Sequence, residues 1–145
     1  MSEALFLNKT TGALMDALSK ADDIKQFCDN NSDTFISVTV AEALNNLTDE
    51  KGLSKALVIK RSELNQIYGY QLFSGSRKPS RNSLLCLCVG LALTLEETQR
   101  LLKTAGIAPL YPKNKRDSII IYGVSNSMSV PEINESLYSL GELTL

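Results

Sequence analysis

The sequence predicts an all-α protein, a compact helical bundle. Three observations carry this. Apolar residues recur at spacings of three and four, and no segment alternates convincingly at period two. Three pairs have the S/T-x-x-E spacing of a capping box: Thr39 with Glu42, Thr94 with Glu97, and Ser129 with Glu132. Four Pro and eight Gly in 145 residues are too few for a turn-dense β-sandwich.

The elements follow in order. Leu14, Leu18, Ala21, Ile24 and Cys28 share one helical face, which predicts a helix over about 10–28. Asn30 to Asp33 break it. The run Phe35 to Val40 has strand composition, but the Thr39–Glu42 box favours a helix over 40–50, stopped by Gly52. Ser54 caps a helix ending near Arg61, and Ser62-Glu63-Leu64 is a short turn. A helix over 65–74 ends at Gly75. The loop after it contains Pro79, and Ser80 caps a helix over 81–91. Thr94 opens the next helix, which Gly106 closes. Two more are expected over 115–125 and 131–140. Ile119 to Tyr122 reads as core, with a homodimer seam as the alternative.

Charge divides the chain. Residues 1–51 carry four Lys/Arg and nine Asp/Glu, a net of −5, and residues 52–145 carry eleven and seven, a net of +4. Within the second part, Lys55, Lys60, Arg61, Arg77, Lys78 and Arg81 face Glu63 alone over residues 54–81. A local basic patch can bind phosphates although the whole chain is at −1, because salt screens each charge beyond about 10 Å. The expected organisation is an acidic N-terminal helical extension (1–51), a helix-turn-helix domain (52–106) and a C-terminal helical pair packed on the core (107–145).

The chemistry-bearing stretch is 53–106. Two short helices across a three-residue turn bury little by themselves, but they hold the second helix where it can enter a major groove. The loop Ser74-Gly75-Ser76-Arg77-Lys78-Pro79-Ser80-Arg81 offers cations, hydroxyls and a helix N-terminus, all suited to phosphate oxygens.

Gly75-Ser76-Arg77-Lys78-Pro79-Ser80 is similar to the G-K-R-K-P-S loop of XRE (phage Cro/C1-type, lambda repressor-like) helix-turn-helix regulators. Leu84-Leu85, with Val89-Gly90-Leu91-Ala92-Leu93-Thr94-Leu95-Glu96-Glu97 after it, resembles that family's next helix and turn. The resemblance spans Leu53 to Leu102. Residues 80–145 also look like a small bacterial lineage of such proteins with added helices.

The resemblance implies a DNA-binding regulator. By position, Asn65, Gln66, Ile67, Tyr70 and Gln71 would touch bases. Amide side chains can pair with adenine, and an apolar one can meet a thymine methyl. Ser54, Lys55, Arg77, Lys78 and Arg81 would touch phosphates. The expected partners are double-stranded DNA and a second copy of the chain. The alternative is a protein-interaction adaptor on the same scaffold, with a protein kinase as one implied partner.

Three positions depart from the family: Glu63 where its turn has Gly, Gly69 where it has a buried Ile or Val, and Phe73 where it is usually charged. Tyr68, Tyr70 and Phe73 read first as core packing and second as a protein-contact surface.

Other classes fit poorly. The chain has no His, which removes the commonest general base and every His-dependent triad. No phosphate-cradling Gly-rich loop is present. Cys86-x-Cys88 has too few ligands for zinc, and all three cysteines read as small buried hydrophobes of a reducing compartment, the cytoplasm. No apolar run is long enough to span a membrane, and the N-terminus does not read as a signal peptide. The expectation is therefore no enzyme, no cofactor and no metal.

Overall fold

The computed structural model describes residues 10–30 and 39–145, and all of their regular structure is helical. The readings of residues 1–9 as no signal peptide and of the run 35–38 lie outside the described residues. The chain forms two units, Met1–Ser37 and Val38–Leu145.

In the first unit the helix expected over 10–28 is two helices. α1 is Thr11–Ser19, capped by Thr10 Oγ, which accepts the Ala13 N–H (3.1 Å). α2 is Ile24–Asn30. The break follows from Asp23. Its carboxylate accepts the Lys25 N–H (3.0 Å), so its side chain starts a new helix instead of continuing the old one. Cys28 is exposed here, against the expectation of a buried thiol.

The second unit holds seven helices among its described residues: α3 (Val40–Glu50), α4 (Lys55–Arg61), α5 (Gln66–Ser74), α6 (Arg81–Gly90), α7 (Leu95–Thr104), α8 (Lys115–Ser125) and α9 (Val130–Ser139). The expected capping boxes at Thr39, Thr94 and Ser129 are all closed on both sides. Ser54 and Ser80 cap α4 and α6 as their positions suggest.

α6 is the central element. Leu84 through Cys88 are buried in succession, so the helix is apolar all round and must be wrapped by others. α4 packs on α5 and α6, α3 on α5 and α7, and α8 pairs with α9, which reaches α6. Leu44 of α3, Leu72 of α5, Leu84 and Leu87 of α6, Leu102 of α7, and Ile120, Ile133 and Leu137 of α8 and α9 share one core.

The second unit begins at Val38, and Ala41 and Leu44 tie α3 into its core despite the acidic surface of its neighbourhood. The segment 107–145 contributes Leu110, Ile120, Ile133 and Leu137 to that core. In α8, Ile120 is buried as expected, whereas Tyr122 points outward at 65% exposure.

Two glycines set how closely the helices approach α4. A Cβ on Gly69 would lie 2.7 and 2.8 Å from the Ile59 Cγ atoms, and one on Gly90 would lie 2.7 Å from the Val58 carbonyl oxygen. α5 and α6 can thus pass against α4 only where these two residues lack side chains. Ile59 fills from α4 the space that a side chain at position 69 would need.

Candidate nucleic-acid interface

α4 and α5 are joined by a turn with specific local causes. Ser62, fully buried, donates its Oγ–H to the Val58 carbonyl (2.7 Å) and so closes the end of α4. Glu63 takes a left-handed conformation, φ 60°, with its side chain in solvent. That position favours glycine, and Glu63 occupies it at a cost of about 1 kcal/mol. Asn65 then caps α5: its Oδ1 accepts the Tyr68 N–H at 3.1 Å.

α5 has two faces. Gly69, Leu72 and Phe73 are buried, while Gln66, Ile67 (71% exposed) and Tyr70 (40% exposed) point outward at helical spacing. Phe73 is buried and takes no part in the outward face of α5. Tyr70 lies outside, so it is no part of the core. Gln71 is half-buried, and its carbonyl accepts the Ser74 Oγ–H (3.1 Å) and the Arg77 N–H (3.3 Å), which folds the following loop against the end of the helix.

Asn65 sits at the edge of the outward face, but its chemistry is narrowed. Bidentate pairing with adenine needs an amide to accept and donate together. With Oδ1 committed to the Tyr68 N–H, Asn65 offers donors only.

Lys55, at the start of α4, extends over Phe73 with Nζ 5.9 Å from the ring centroid. Arg77 stacks over Tyr68, Cζ 5.1 Å from the ring centroid, and the Tyr68 hydroxyl donates to Ser83 Oγ (3.0 Å) at the start of α6. Tyr68, read from the sequence as core packing, is thus a positioning residue. It anchors the loop cation while leaving the guanidinium at the surface. Lys78 is exposed beside it. Ser54 Oγ accepts the Leu57 N–H (3.1 Å) and keeps its own hydroxyl proton to donate.

Arg81 differs from these cations. Its guanidinium holds Asp117 with two N–H···O bonds of 3.0 Å each and donates to the carbonyls of Ala108 and Pro109 (both 3.1 Å). Four of five N–H donors are used inside the protein, so the expected phosphate role is corrected to a structural one. The candidate phosphate set is Ser54, Lys55, Arg77 and Lys78.

Asp117 is 5% exposed and caps this arrangement. Burial alone would raise its carboxyl. Hydrogen bonds from Arg81 and the Tyr111 N–H, with the charges of Arg81 and Arg116, outweigh burial and hold it below the usual range. Burial likewise pushes the Cys86 thiol up to about 11 and Cys88 to about 12, which leaves both as protonated core groups. Among the described residues no cluster of three or more His, Cys, Asp or Glu could hold a metal ion, and no helix is long and apolar enough to cross a membrane.

Comparison with models of known families, with curated proteins and with solved structures gives no match to this chain.

Proposed function

We propose that Val38–Leu145 is a DNA-binding regulatory unit of the XRE helix-turn-helix type, in which α4, the turn at Ser62–Leu64 and α5 form the reading motif. The observation that carries this is the outward face of α5. Gln66, Ile67 and Tyr70 project from a helix whose opposite face is locked in the core, with Lys55, Arg77 and Lys78 on flanking segments.

The division of labour follows from side-chain chemistry. Gln66, whose side chain makes no hydrogen bond among the described residues, pairs with adenine through both ends of its amide. Ile67 meets a thymine methyl. Tyr70 contributes ring and hydroxyl, Asn65 donates from its Nδ2, and Gln71 supports the loop. Ser54, Lys55, Arg77 and Lys78 bind phosphates and set the register. One short helix reads few bases, so two copies acting on half-sites a helical turn apart supply the affinity and specificity of a cytoplasmic regulator.

A second reading is a protein-interaction adaptor on the same scaffold, with a protein kinase as one partner class. The exposure of Ile67 and the acidic Glu63 beside the reading helix favour it. Selection from a random duplex pool separates the two. The regulator enriches a repeated half-site, and Gln66→Ala relaxes one position of it. The adaptor enriches nothing.

A further inference from the structure

A groove of about 640 Å³ lies behind the basic loop, between the first turn of α3, the end of α5 and the end of α7. Its floor is apolar: Val40, Phe73, Ala105 and Ile107. Arg77 and Lys78 stand on its rim. On the opposite side, α3 presents its N-terminal end, where the Val40 and Ala41 N–H groups have no acceptor among the described residues. One carboxylate, Glu42, also lines the groove. It is closed back on Thr39, accepting that residue's N–H (3.2 Å) and Oγ–H (3.1 Å).

We infer that this groove binds an acidic peptide segment of a partner protein, one carrying a large apolar side chain. The floor takes the apolar side chain, and the volume falls in the range of sites that enclose one. The rim takes the carboxylates through Arg77 and Lys78, and the α3 N-terminus adds positive potential. A DNA backbone suits the rim but not the floor, because phosphates gain nothing from an apolar concavity. Peptide and DNA would therefore share two cations and exclude each other, so an acidic partner would release the protein from its operator. The competition rests on the DNA-binding reading, whereas the peptide site does not.

The test pans a displayed library of random short peptides on the immobilised full chain, then measures the enriched peptide by fluorescence anisotropy without DNA. The expected consensus is acidic with one Leu, Phe or similar residue. Lys78→Glu should weaken binding by about tenfold or more, and Ala105→Trp, which fills the floor, should abolish it. Thermal melts identify a variant that fails to fold. If Ala105→Trp does not fold, the charge reversal on exposed Lys78 still decides the question. No enrichment, a neutral or basic consensus, or binding indifferent to the folded variants overturns the peptide site. So does loss of duplex DNA binding in a folded Ala105→Trp, which would assign the groove to DNA. A site that binds peptide while the protein ignores DNA keeps this inference and removes only the competition.

Discussion

The Arg81 guanidinium grips the Asp117 carboxylate with two N–H···O bonds of 3.0 Å, joining the start of α6 to the start of α8 across 36 residues of sequence. Two further bonds to Ala108 and Pro109 pin the connecting loop. Removing the arginine leaves a nearly buried carboxylate with its main charge partner gone. Arg81→Ala should therefore destabilise the fold by about 2–4 kcal/mol, less than a fully buried pair because Arg81 is partly exposed. Arg81→Lys should recover only part of this, since an ammonium cannot reproduce the fork. Urea unfolding measures both. A loss below about 0.5 kcal/mol, typical of a surface ion pair, would contradict the assignment.

Acid should weaken the protein through the same carboxylate. Asp117, Glu97 and Glu132 all have folded-state values held below the ordinary carboxylate range. Asp117 owes this to the balance described above, and Glu97 and Glu132 chiefly to the backbone N–H groups they cap. Groups depressed by folding contribute stability that is present above the unfolded value, about pH 4, and lost as pH falls through the folded values. Stability should therefore be flat near neutrality and fall below about pH 4–5. Asp117→Asn should flatten that fall. An unchanged acid limb in the variant would count against Asp117.

Glu63 carries two costs at one position. It holds a left-handed backbone and places a negative charge next to α5, the helix proposed to read DNA. Glu63→Gly should leave stability unchanged or raise it by up to about 1 kcal/mol, relief of strain being partly offset by a more flexible unfolded chain. It should also tighten DNA binding at low salt. Destabilisation by more than about 1 kcal/mol would show that the side chain makes contacts that offset the strain.

Gly69 and Ile59 should behave as one unit. Gly69→Ala meets the Ile59 Cγ atoms and should cost about 1–3 kcal/mol. Ile59→Ala alone leaves a cavity and costs about 2–4 kcal/mol. Together they should cost clearly less than the sum of the two, because the new methyl occupies vacated space. A double-mutant cycle with additive losses would reject the close contact.

What was legible in the sequence divides by range. Helix ends at Thr39, Ser54, Ser80, Thr94 and Ser129 could be read because a cap is a local event, completed within three residues. The break between Ser19 and Ile24 was missed because apolar spacing continued across it while Asp23 offered a competing cap. Long-range facts left no such trace. The pairing of Arg81 with Asp117 turned a cation read as a phosphate ligand into a structural clamp. The burial of Phe73 depends on α3 and α4 meeting α5. Membership of α3 in the core has no signature in surface charge, because the burial of Ala41 and Leu44 decides it. At the candidate interface, the outward placement of Gln66, Ile67 and Tyr70 matches the helical period, whereas the roles of Tyr68 under Arg77 and of Asn65 as a cap emerge only from geometry.

The central claim is that the basic loop clamps phosphates while α5 reads the groove. It is tested most directly by salt titration of binding to random-sequence duplex DNA, with Arg77→Ala/Lys78→Ala beside the wild type and Arg81 left intact to preserve the fold. The expected result is binding that weakens steeply with salt. In the variant, the log–log slope should fall by about 2 per protomer, at unchanged stability. Absence of binding by the folded wild type at low salt, or a variant with the wild-type slope, would contradict it.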